Sequence, residues 1–270
     1  MRNMTRALIG ALCALATGAV PATSGNSGVR PAAPTRPDLP PTAEQARQAW
    51  LRQRAMELAA LEETVLPLLV LTENQTAGKG RGANVWWSAP GALTFSLVLE
   101  LAEQRSGPEV WPRFALAAAV GICEALETFA PNTSFGIRWP NDVCAGPRKI
   151  CGILPELRAG KFSRLVLGIG INANNSTDAA PAELQSTATS LLDLTGRRTD
   201  LTDLLVEVLR RLEARLGDLA NVSSELSAAW SDRCLLRGHN VELRADAVSV
   251  RGQCDGIDPH GALVLRAGSK

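Results

Sequence analysis

A glycine-rich segment that leads directly into a strand is the feature that most restricts the folds open to this chain. Gly78, Gly80 and Gly82 lie within five residues, and such spacing lets the backbone take positive φ values and approach a ligand closely. The segment is not a P-loop, because GxxxxGK[ST] is absent. Gly78–Ala83 fits GxGxxA, but a dinucleotide fold requires a helix next, whereas residues 84–91 contain Pro and Gly and precede a strand. The sequence therefore disfavours a Rossmann fold.

The composition is that of a globular protein with a sizeable core. The chain has 270 residues, of which 46% are hydrophobic, and a formal net charge of +1. This length fits one large domain, or a large domain with a small one. Such a balanced charge predicts neither a nucleic acid partner nor an acidic membrane. Tyr is absent and only His239 and His260 are present, so catalysis by histidine or tyrosine is not expected.

The six cysteines show no CxxC pair and no zinc-ligand spacing. Several lie in apolar runs such as GICEAL and KICGIL, where a small buried thiol packs well. We therefore expect reduced, structural cysteines and a reducing compartment.

The N-terminal residues 1–24 have the layout of a secretory signal: a basic start, an apolar run over Ala7–Val20, and small residues after it. The run is too short for a comfortable membrane span. An upstream extension from a wrongly chosen start codon, followed by a linker over Ser24–Pro41, explains the same residues. Both interpretations stay open.

Periodicity and turn residues divide the rest of the chain into helices and strands. A capping box at Thr42–Gln45 opens the first helix. The predicted helices cover 42–62, 109–129, 199–219 and 225–236, and the predicted strands cover 66–72, 93–101, 135–139, 148–157 and 163–171. The pair 148–157 and 163–171 is expected to be antiparallel. From His239 the pattern changes to short strands, which predicts a small all-β module, and the overall order indicates an α+β fold.

Two polar segments follow apolar strands. Pro140 ends a strand and leaves Asn141 and Asp142 at its end; such a sequence also fits an Asx turn without a function. Lys149 lies between apolar neighbours in RKICGIL, so its ammonium needs an anionic partner if it is partly buried. An edge lysine whose ammonium reaches solvent is equally compatible. Gly152 would let a flat ligand lie against this strand.

The segment GIGIN contains Gly168 and Gly170 within an apolar strand. Glycine weakens a strand, and its presence there indicates a close approach of ligand or backbone. Asn172 follows where the strand ends, a common position for a ligand contact.

These four segments, in this order, resemble the motifs of the biotin protein ligase family. QTAGKGRG with the following WWS is similar to its glycine-rich loop, and RWPND, RKICGIL and GIGIN are similar to its other core motifs. The resemblance extends from Leu66 to Leu265. It implies an α+β fold with a mixed sheet flanked by helices, like a class II synthetase core, and a small C-terminal SH3-like β-barrel. The implied divisions are an extension over 1–41, a catalytic domain over 42–228 and a C-terminal domain over 234–270.

The resemblance also assigns roles by matched position. The residues expected on the biotin and phosphate side are Gln75, Gly78, Lys79, Gly80 and Arg81. Lys149 would contact the biotin carboxylate and the α-phosphate, and with Arg81 it is the expected catalytic residue, while Gly152 would pack near biotin. The residues expected on the nucleotide side are Trp86, stacked on adenine, and Asn141, Asp142 and Asn172. No metal ligand is assigned.

The implied activity is ATP-dependent ligation of biotin to a lysine of the biotin carboxyl carrier protein of acetyl-CoA carboxylase, with Mg²⁺. An ATP-dependent reaction on such a carrier predicts a cytoplasmic protein without nucleic acid or membrane partners. A binding protein for biotin or biotinyl-AMP that has lost ligation, and a relative of the lipoate or octanoyl transferases, are the alternatives. Incubation with ATP, biotin and a carrier domain separates them.

Three departures from the family pattern stand out. The family's domain begins with a strand and a Ser-Thr-Asn motif, and the matching position here is Trp50-Leu51-Arg52, preceded by a linker and a helix. Lys79 stands where the family usually has arginine, and the two side chains differ in bidentate hydrogen bonding. No helix-turn-helix pattern precedes the core, so the DNA-binding repressor function of some relatives is not expected.

Overall fold

The computed structural model describes residues 50–72, 75, 78–82, 84–101, 111–158, 163–220, 224–245 and 248–267. The signal-like segment, the linker and the capping box lie outside this range. Among the described helices, none combines the length and apolar character that crossing a membrane requires.

The described helices and strands follow the order expected for an α+β chain. The helices are α1 Trp50–Leu58, α2 Trp111–Phe129, α3 Ala182–Gln185, α4 Leu191–Thr195, α5 Leu201–Ala220 and α6 Ser224–Asp232, with a 3₁₀ turn at Thr177–Ala179. The strands are β1 Leu68–Thr72, β2 Gly78–Lys79, β3 Val85–Trp86, β4 Leu93–Glu100, β5 Phe135–Arg138, β6 Asp142–Ala145, β7 Arg148–Arg158, β8 Arg164–Ile171, β9 Asn240–Ala245, β10 Val248–Ile257 and β11 Leu263–Arg266. The start of the helix predicted over 42–62 lies outside the described residues; the other predicted bounds recur within a few residues. The small hairpin β2–β3 and strand β6 were not predicted.

A six-stranded sheet in the order β1-β4-β8-β7-β6-β5 forms the centre of the molecule. All five strand pairs are antiparallel. The mixed sheet implied by the resemblance is therefore wrong for these strands. Within the described residues, parallel pairing is confined to isolated bridges at Ile137–Cys234 and Lys149–Ala188.

The two faces of this sheet are chemically different because side chains alternate along each strand. On one face, large apolar side chains of β4, β7 and β8 pack with α2 and α5 in the main core. The other face carries Thr94 and Ser96 on β4, with Gly168 and Gly170 on β8. Because these residues are small, they leave a space beside the second face, and the candidate active site lies there.

Helix α1 covers one end of that second face. Ala55 of α1 and Ala59, which follows its last residue, pack against Val98 and Val166 in a separate buried cluster. Arg164 of β8 is 4% exposed, and its guanidinium donates to the carbonyl oxygens of Ala59 (3.2 Å), Leu61 (2.5 Å) and Glu62 (3.3 Å). Apolar contacts and these hydrogen bonds together hold α1 on the sheet.

The C-terminal strands form a three-stranded sheet in the order β11-β10-β9. Within the described residues this sheet is open, so the expected closure into a barrel is not seen there. It packs against the main core through Cys254 and Ile257. The indole nitrogen of Trp230, a side chain only 1% exposed, donates to the carbonyl oxygen of Asp258 at 3.1 Å. The all-β module predicted from His239 is thus present as an antiparallel sheet joined to the core.

The five described cysteines are buried free thiols, as expected for structural cysteines. Burial raises the pKa of Cys123 to about 12 and that of Cys144 to about 11, from an ordinary value of 9.0. Because the thiolate is the reactive form, we expect iodoacetamide to leave both residues unmodified in the folded protein at mildly alkaline pH, and to modify them after denaturation. Peptide mass spectrometry measures this directly, and labelling of either residue without denaturant would contradict it.

The same thiols predict a loss of stability at high pH. In the unfolded chain they ionise near their ordinary pKa, whereas in the folded chain they remain neutral until a higher pH. Ionisation therefore favours the unfolded state as the pH rises above about 9. Replacing Cys123 by alanine should reduce this part of the alkaline destabilisation.

Candidate active site

A cavity of about 490 Å³ lies on the second face of the central sheet. Its floor is made by three glycines, Gly152 of β7 with Gly168 and Gly170 of β8, which leave the strand backbone open to a ligand. Strand pairing arranges the residues of this face in three rows: Thr94–Gly170–Gly152, Ser96–Gly168–Leu154 and Val98–Val166–Glu156. At two residues per row, the first and third rows are about 13 Å apart.

Trp86 of the β2–β3 hairpin lies on the first row of this floor. A Cβ atom on Gly170 would come within 2.5 Å of the indole, and one on Gly152 within 3.3 Å. On the side of the hairpin, a Cβ atom on Gly78 would lie 2.5 Å from the Trp86 carbonyl oxygen. Gly78 and Gly170 therefore have to be glycine if the indole is to keep this position, whereas a side chain at Gly152 would require only a small shift of its neighbours. The indole nitrogen is buried without a hydrogen-bond partner among the described residues, which is an unfavourable arrangement.

Lys149 and Asp142 form an ion pair beside the indole. The Lys149 Nζ atom lies 2.6 Å from Asp142 Oδ1 and 5.6 Å from the centre of a Trp86 ring, a distance at which a cation is attracted to an aromatic face. Asp142 pairs with Gly152 across β6 and β7. The anionic partner that the sequence requires for Lys149 is thus Asp142, and the lysine side chain points into the cavity.

Three cationic side chains line this part of the cavity: Lys149, with Lys79 and Arg81 of the glycine-rich loop. The loop closes through backbone hydrogen bonds between Gly80 and Asn84, at 2.9 Å, and between Asn84 and Arg81, at 3.2 Å. Lys79 and Arg81 are exposed, so their charges are available to a bound anion. Asp142 neutralises one of the three charges, and this end of the cavity keeps a positive balance suited to phosphate and carboxylate groups.

The opposite end of the cavity is closed by an ion pair between Arg52 of α1 and Glu156 of β7. Arg52 donates from Nε to Glu156 Oε2 and from Nη2 to Oε1. Hydrogen bonding to Glu156 raises the pKa of Arg52, so its charge is permanent. Leu51 lines the same end. The cavity is therefore bounded by cations at one end and by a paired guanidinium and carboxylate at the other.

Nine of the eleven residues predicted for the site line the cavity: Gln75, Lys79, Gly80, Arg81, Trp86, Asn141, Asp142, Lys149 and Gly152. Gly78 is buried beneath Trp86, outside the lining. Asn141 is fixed to β7, since its Nδ2 donates to the Ile153 carbonyl oxygen at 2.6 Å. These placements bring the four motifs together, and the individual roles remain predictions.

Asn172 is not brought to the cavity. It is 3% exposed, its Nδ2 donates to the Thr189 carbonyl oxygen at 3.1 Å, and its Oδ1 accepts from Asn175 at 3.0 Å. Both ends of its amide are thus engaged in joining β8 to the following loop. The structure thus places this amide in the scaffold beneath the loop, and its contact with the nucleotide stays a prediction.

Sequence reasoning missed the residues at the far end of the cavity, Arg52 and Glu156. In the sequence, Arg52 stands out only through the absence of a family motif at its position. Glu156 can be predicted from the sequence, because every second residue of a strand lies on the same face. Counting from Gly152 through Leu154 places Glu156 on the cavity face of β7. Ser96 on the neighbouring strand can be found in the same way.

Comparison with known proteins shows which family this chain resembles. Residues 46–172 match the model of the biotin/lipoate A/B protein ligase family. The chain is 32% identical to the biotin--[acetyl-CoA-carboxylase] ligase of Mycobacterium tuberculosis over 225 residues, which cover 82% of this chain and 80% of the relative. It is 32% identical to the bifunctional ligase/repressor BirA of Bacillus spizizenii over 203 residues, covering 73% of this chain and 61% of that longer relative.

Among solved structures, a biotin protein ligase from Aquifex aeolicus in complex with biotin and ATP superimposes with a TM-score of 0.68 at 28% sequence identity. The match covers 80% of this chain and 87% of that chain. With a shared fold, a matching family model and a relative covered over most of its length, the chain belongs to the biotin protein ligase family.

Proposed function

We propose that this protein is an ATP-dependent biotin protein ligase. It joins biotin to ATP to form biotinyl-5′-AMP and then transfers biotin to a lysine of a carrier, the biotin carboxyl carrier protein of acetyl-CoA carboxylase. The observation that carries the proposal is the cavity itself: a glycine floor in a biotin ligase fold, with Lys149, Lys79 and Arg81 at one end. The chain spans about 61% of the length of its Bacillus relative, so no further activity of that relative is carried over.

The chemistry of the first step explains the cations. The biotin carboxylate attacks the α-phosphorus of ATP, so two anions must meet, and the reacting phosphorus gains negative charge on its oxygens. Lys149 is held by Asp142 at 2.6 Å and needs little reorganisation to stabilise that charge. Arg81 and Lys79 add exposed cations that hold the phosphate side. Pyrophosphate leaves, and biotinyl-5′-AMP remains in the cavity.

In the second step the carrier's lysine amine attacks the carbonyl carbon of the mixed anhydride, and AMP leaves. Water competes with this amine, so the intermediate must be shielded. The β2–β3 hairpin carries Trp86 over the first row of the floor, and it is the part of the described site suited to cover the adenylate. We assign Trp86 to the nucleotide side on this basis, and Asn141 because the family resemblance implies it.

Magnesium enters this scheme as part of the ATP substrate. The two carboxylates that line the cavity, Asp142 and Glu156, are each paired with a cation. The described residues contain no cluster of three or more His, Cys, Asp or Glu side chains suited to a metal. We therefore assign no protein ligand to Mg²⁺ and derive no step through it. We also propose that the protein is cytoplasmic and that its C-terminal sheet is part of a small SH3-like domain.

The proposal is tested by incubating the protein with ATP, biotin and a purified carrier domain. Release of pyrophosphate that depends on biotin reports the first step, and a streptavidin blot of the carrier reports the second. Lipoate replaces biotin in a parallel reaction. Transfer of lipoate in preference to biotin, or biotin binding without pyrophosphate release, would contradict the proposal.

Replacing Arg81 by glycine is expected to make the enzyme release its adenylate. The side chain is exposed and little packing is lost, so the unfolding temperature should stay close to that of the wild type. Losing one charge-assisted contact to phosphate is expected to weaken adenylate retention by roughly tenfold or more. Bystander proteins added to the reaction should then acquire biotin. Arg197→Gly, an exposed arginine outside the cavity lining, is the control, and equal bystander labelling by both variants would refute the assignment.

A further inference from the structure

The Arg52–Glu156 ion pair lies at the end of the cavity away from the phosphate-binding cations. Lys149 and Trp86 lie by the first row of the floor, Thr94–Gly170–Gly152, whereas Glu156 belongs to the third. Arg52 reaches this row from α1. The side chains of Arg52 and Glu156 remain 33% and 22% exposed, and both line the cavity. A ligand in the cavity therefore meets this ion pair directly.

The cations determine which end of biotin faces the pair. Biotin has a carboxylate on a flexible alkyl chain and a fused ring system that carries a cyclic urea. If the carboxylate reacts beside Lys149, the alkyl chain follows the glycine floor and the ring system lies toward the third row. The urea is then the polar group that meets α1, and its carbonyl and N–H groups lose hydration unless the protein replaces it.

The ion pair has the hydrogen-bonding capacity that a urea requires. A guanidinium carries five N–H groups, and the fork to Glu156 uses one on Nε and one on Nη2. The Nη1 group and the second N–H of Nη2 are not used by that fork. The Glu156 carboxylate offers about four lone-pair sites, of which the fork occupies two. Arg52 can thus donate to a urea carbonyl while Glu156 accepts from a urea N–H.

We propose that the Arg52–Glu156 pair recognises the cyclic urea of biotin and is a specificity-determining element of this enzyme. The proposal rests on the proposed function, since it takes biotin as the ligand. Arg52 donates to the carbonyl oxygen, and Glu156 orients the guanidinium and accepts from the ring. This pair takes the place of the Ser-Thr-Asn motif, whose matching position is Trp50-Leu51-Arg52.

A purely structural role for Arg52 is the competing explanation, because the pair also joins α1 to β7. The helix has other attachments, however. Arg164 binds three carbonyl oxygens at the end of α1, and Ala55 and Ala59 are buried against the sheet. Arg164 does not line the cavity. It therefore provides a matched control that loosens the same helix without touching the ligand.

The test uses 2-iminobiotin, in which an imino group replaces the urea oxygen and forms a guanidinium cation at neutral pH. Calorimetry gives the dissociation constants of biotin and 2-iminobiotin for the wild type, Arg52→Met and Arg164→Met. The wild type should prefer biotin, because Arg52 donates to its oxygen and repels the cationic analogue. In Arg52→Met, Glu156 is left as an unpaired carboxylate facing the ligand. Biotin should bind roughly tenfold or more weaker, and the preference should shift toward 2-iminobiotin by at least as much.

The controls separate the possible outcomes. Arg164→Met should lower the unfolding temperature and keep the wild-type ratio of the two dissociation constants, and Arg52→Lys should restore part of the preference for biotin. If Arg52→Met keeps the wild-type ratio within about threefold, or if Arg164→Met shifts the ratio equally, the proposal is overturned. Should Arg52→Met not fold, the neutral variant Arg52→Gln takes its place, and a wild-type ratio in that variant would overturn the proposal. Failure of the wild type to bind biotin would instead contradict the proposed function.

Discussion

Replacing Lys149 by methionine is expected to lower the rate of biotin adenylation by roughly 100-fold or more. The lysine Nζ atom is fixed by Asp142 at 2.6 Å and lies 5.6 Å from the centre of a Trp86 ring, so its charge is oriented before the substrates arrive. A methionine fills a similar volume without charge. The attack of one anion on another then loses its best-positioned counter-charge. Biotin-dependent release of pyrophosphate, measured with saturating substrates, reports the change.

Two further variants show whether the lost charge causes the effect. Arg148→Met removes a cation from the adjacent position on β7, which does not line the cavity, and it should adenylate biotin normally. Lys149→Met leaves Asp142 with an unpaired carboxylate facing the phosphates, and Asp142→Asn in the same chain removes that repulsion. If the double variant recovers wild-type activity, Lys149 acts only by neutralising Asp142. Recovery of less than about tenfold supports a direct role at the phosphate.

The strands of the central sheet could be predicted from the sequence because their residues follow a regular pattern. In β4 and β8, large apolar residues alternate with small ones, and this alternation becomes the contrast between the packed face and the cavity face. Gly168 and Gly170 indicate a close approach by their position in an apolar strand alone, and both lie in the cavity floor. Alternation along a strand determines which side chains share a face of the sheet. The two faces can therefore be predicted from the sequence of one chain.

The parts that were missed depend on side-chain contacts that the pattern along a strand does not show. Arg52 and Glu156 are 104 positions apart, and no sequence pattern near either residue predicts that they form an ion pair. Asn172 resembles a ligand contact because it ends a strand, but its amide is satisfied by Thr189 and Asn175. The choice between an edge lysine and a partly buried ion pair at Lys149 is decided by Asp142, which the β6–β7 pairing brings near. Side-chain partners, unlike strand periodicity, are properties of the assembled fold.

The glycine floor and Trp86 together suggest how binding and closure are connected. In the structure the indole occupies the first row of the floor, with its nitrogen buried and unpartnered among the described residues. A ligand lying on Gly152 and Gly170 needs part of that space, so binding must be accompanied by a shift of the indole. The hairpin that carries Trp86 also carries Lys79. Movement of the aromatic ring is thereby linked to the position of Lys79, the cation that we propose for phosphate binding.

Replacing Gly170 by valine is therefore expected to abolish measurable biotin binding while the protein stays folded. A Cβ atom at this position would lie 2.5 Å from the Trp86 indole, and the two methyl groups would fill the first row of the floor. Overpacking of this kind costs about 1–3 kcal/mol, and the ligand also loses its contact with the backbone. We expect biotin affinity to fall by roughly 100-fold or more. Calorimetry measures the affinity, and circular dichroism with thermal unfolding measures the fold.

Trp86→Ala distinguishes displacement of the indole from loss of space for the ligand. When combined with Gly170→Val, it removes the collision between the new side chain and the ring. If the double variant binds biotin as well as Trp86→Ala alone, the valine acts only by moving Trp86, and the ligand does not lie on this row. Gly168→Ala is the milder companion variant, because its Cβ atom meets only an ordinary contact of 3.5 Å with the Leu154 carbonyl oxygen. Its unfolding temperature should be unchanged, so weaker biotin binding in this variant would arise from the methyl group in the ligand's space on the second row.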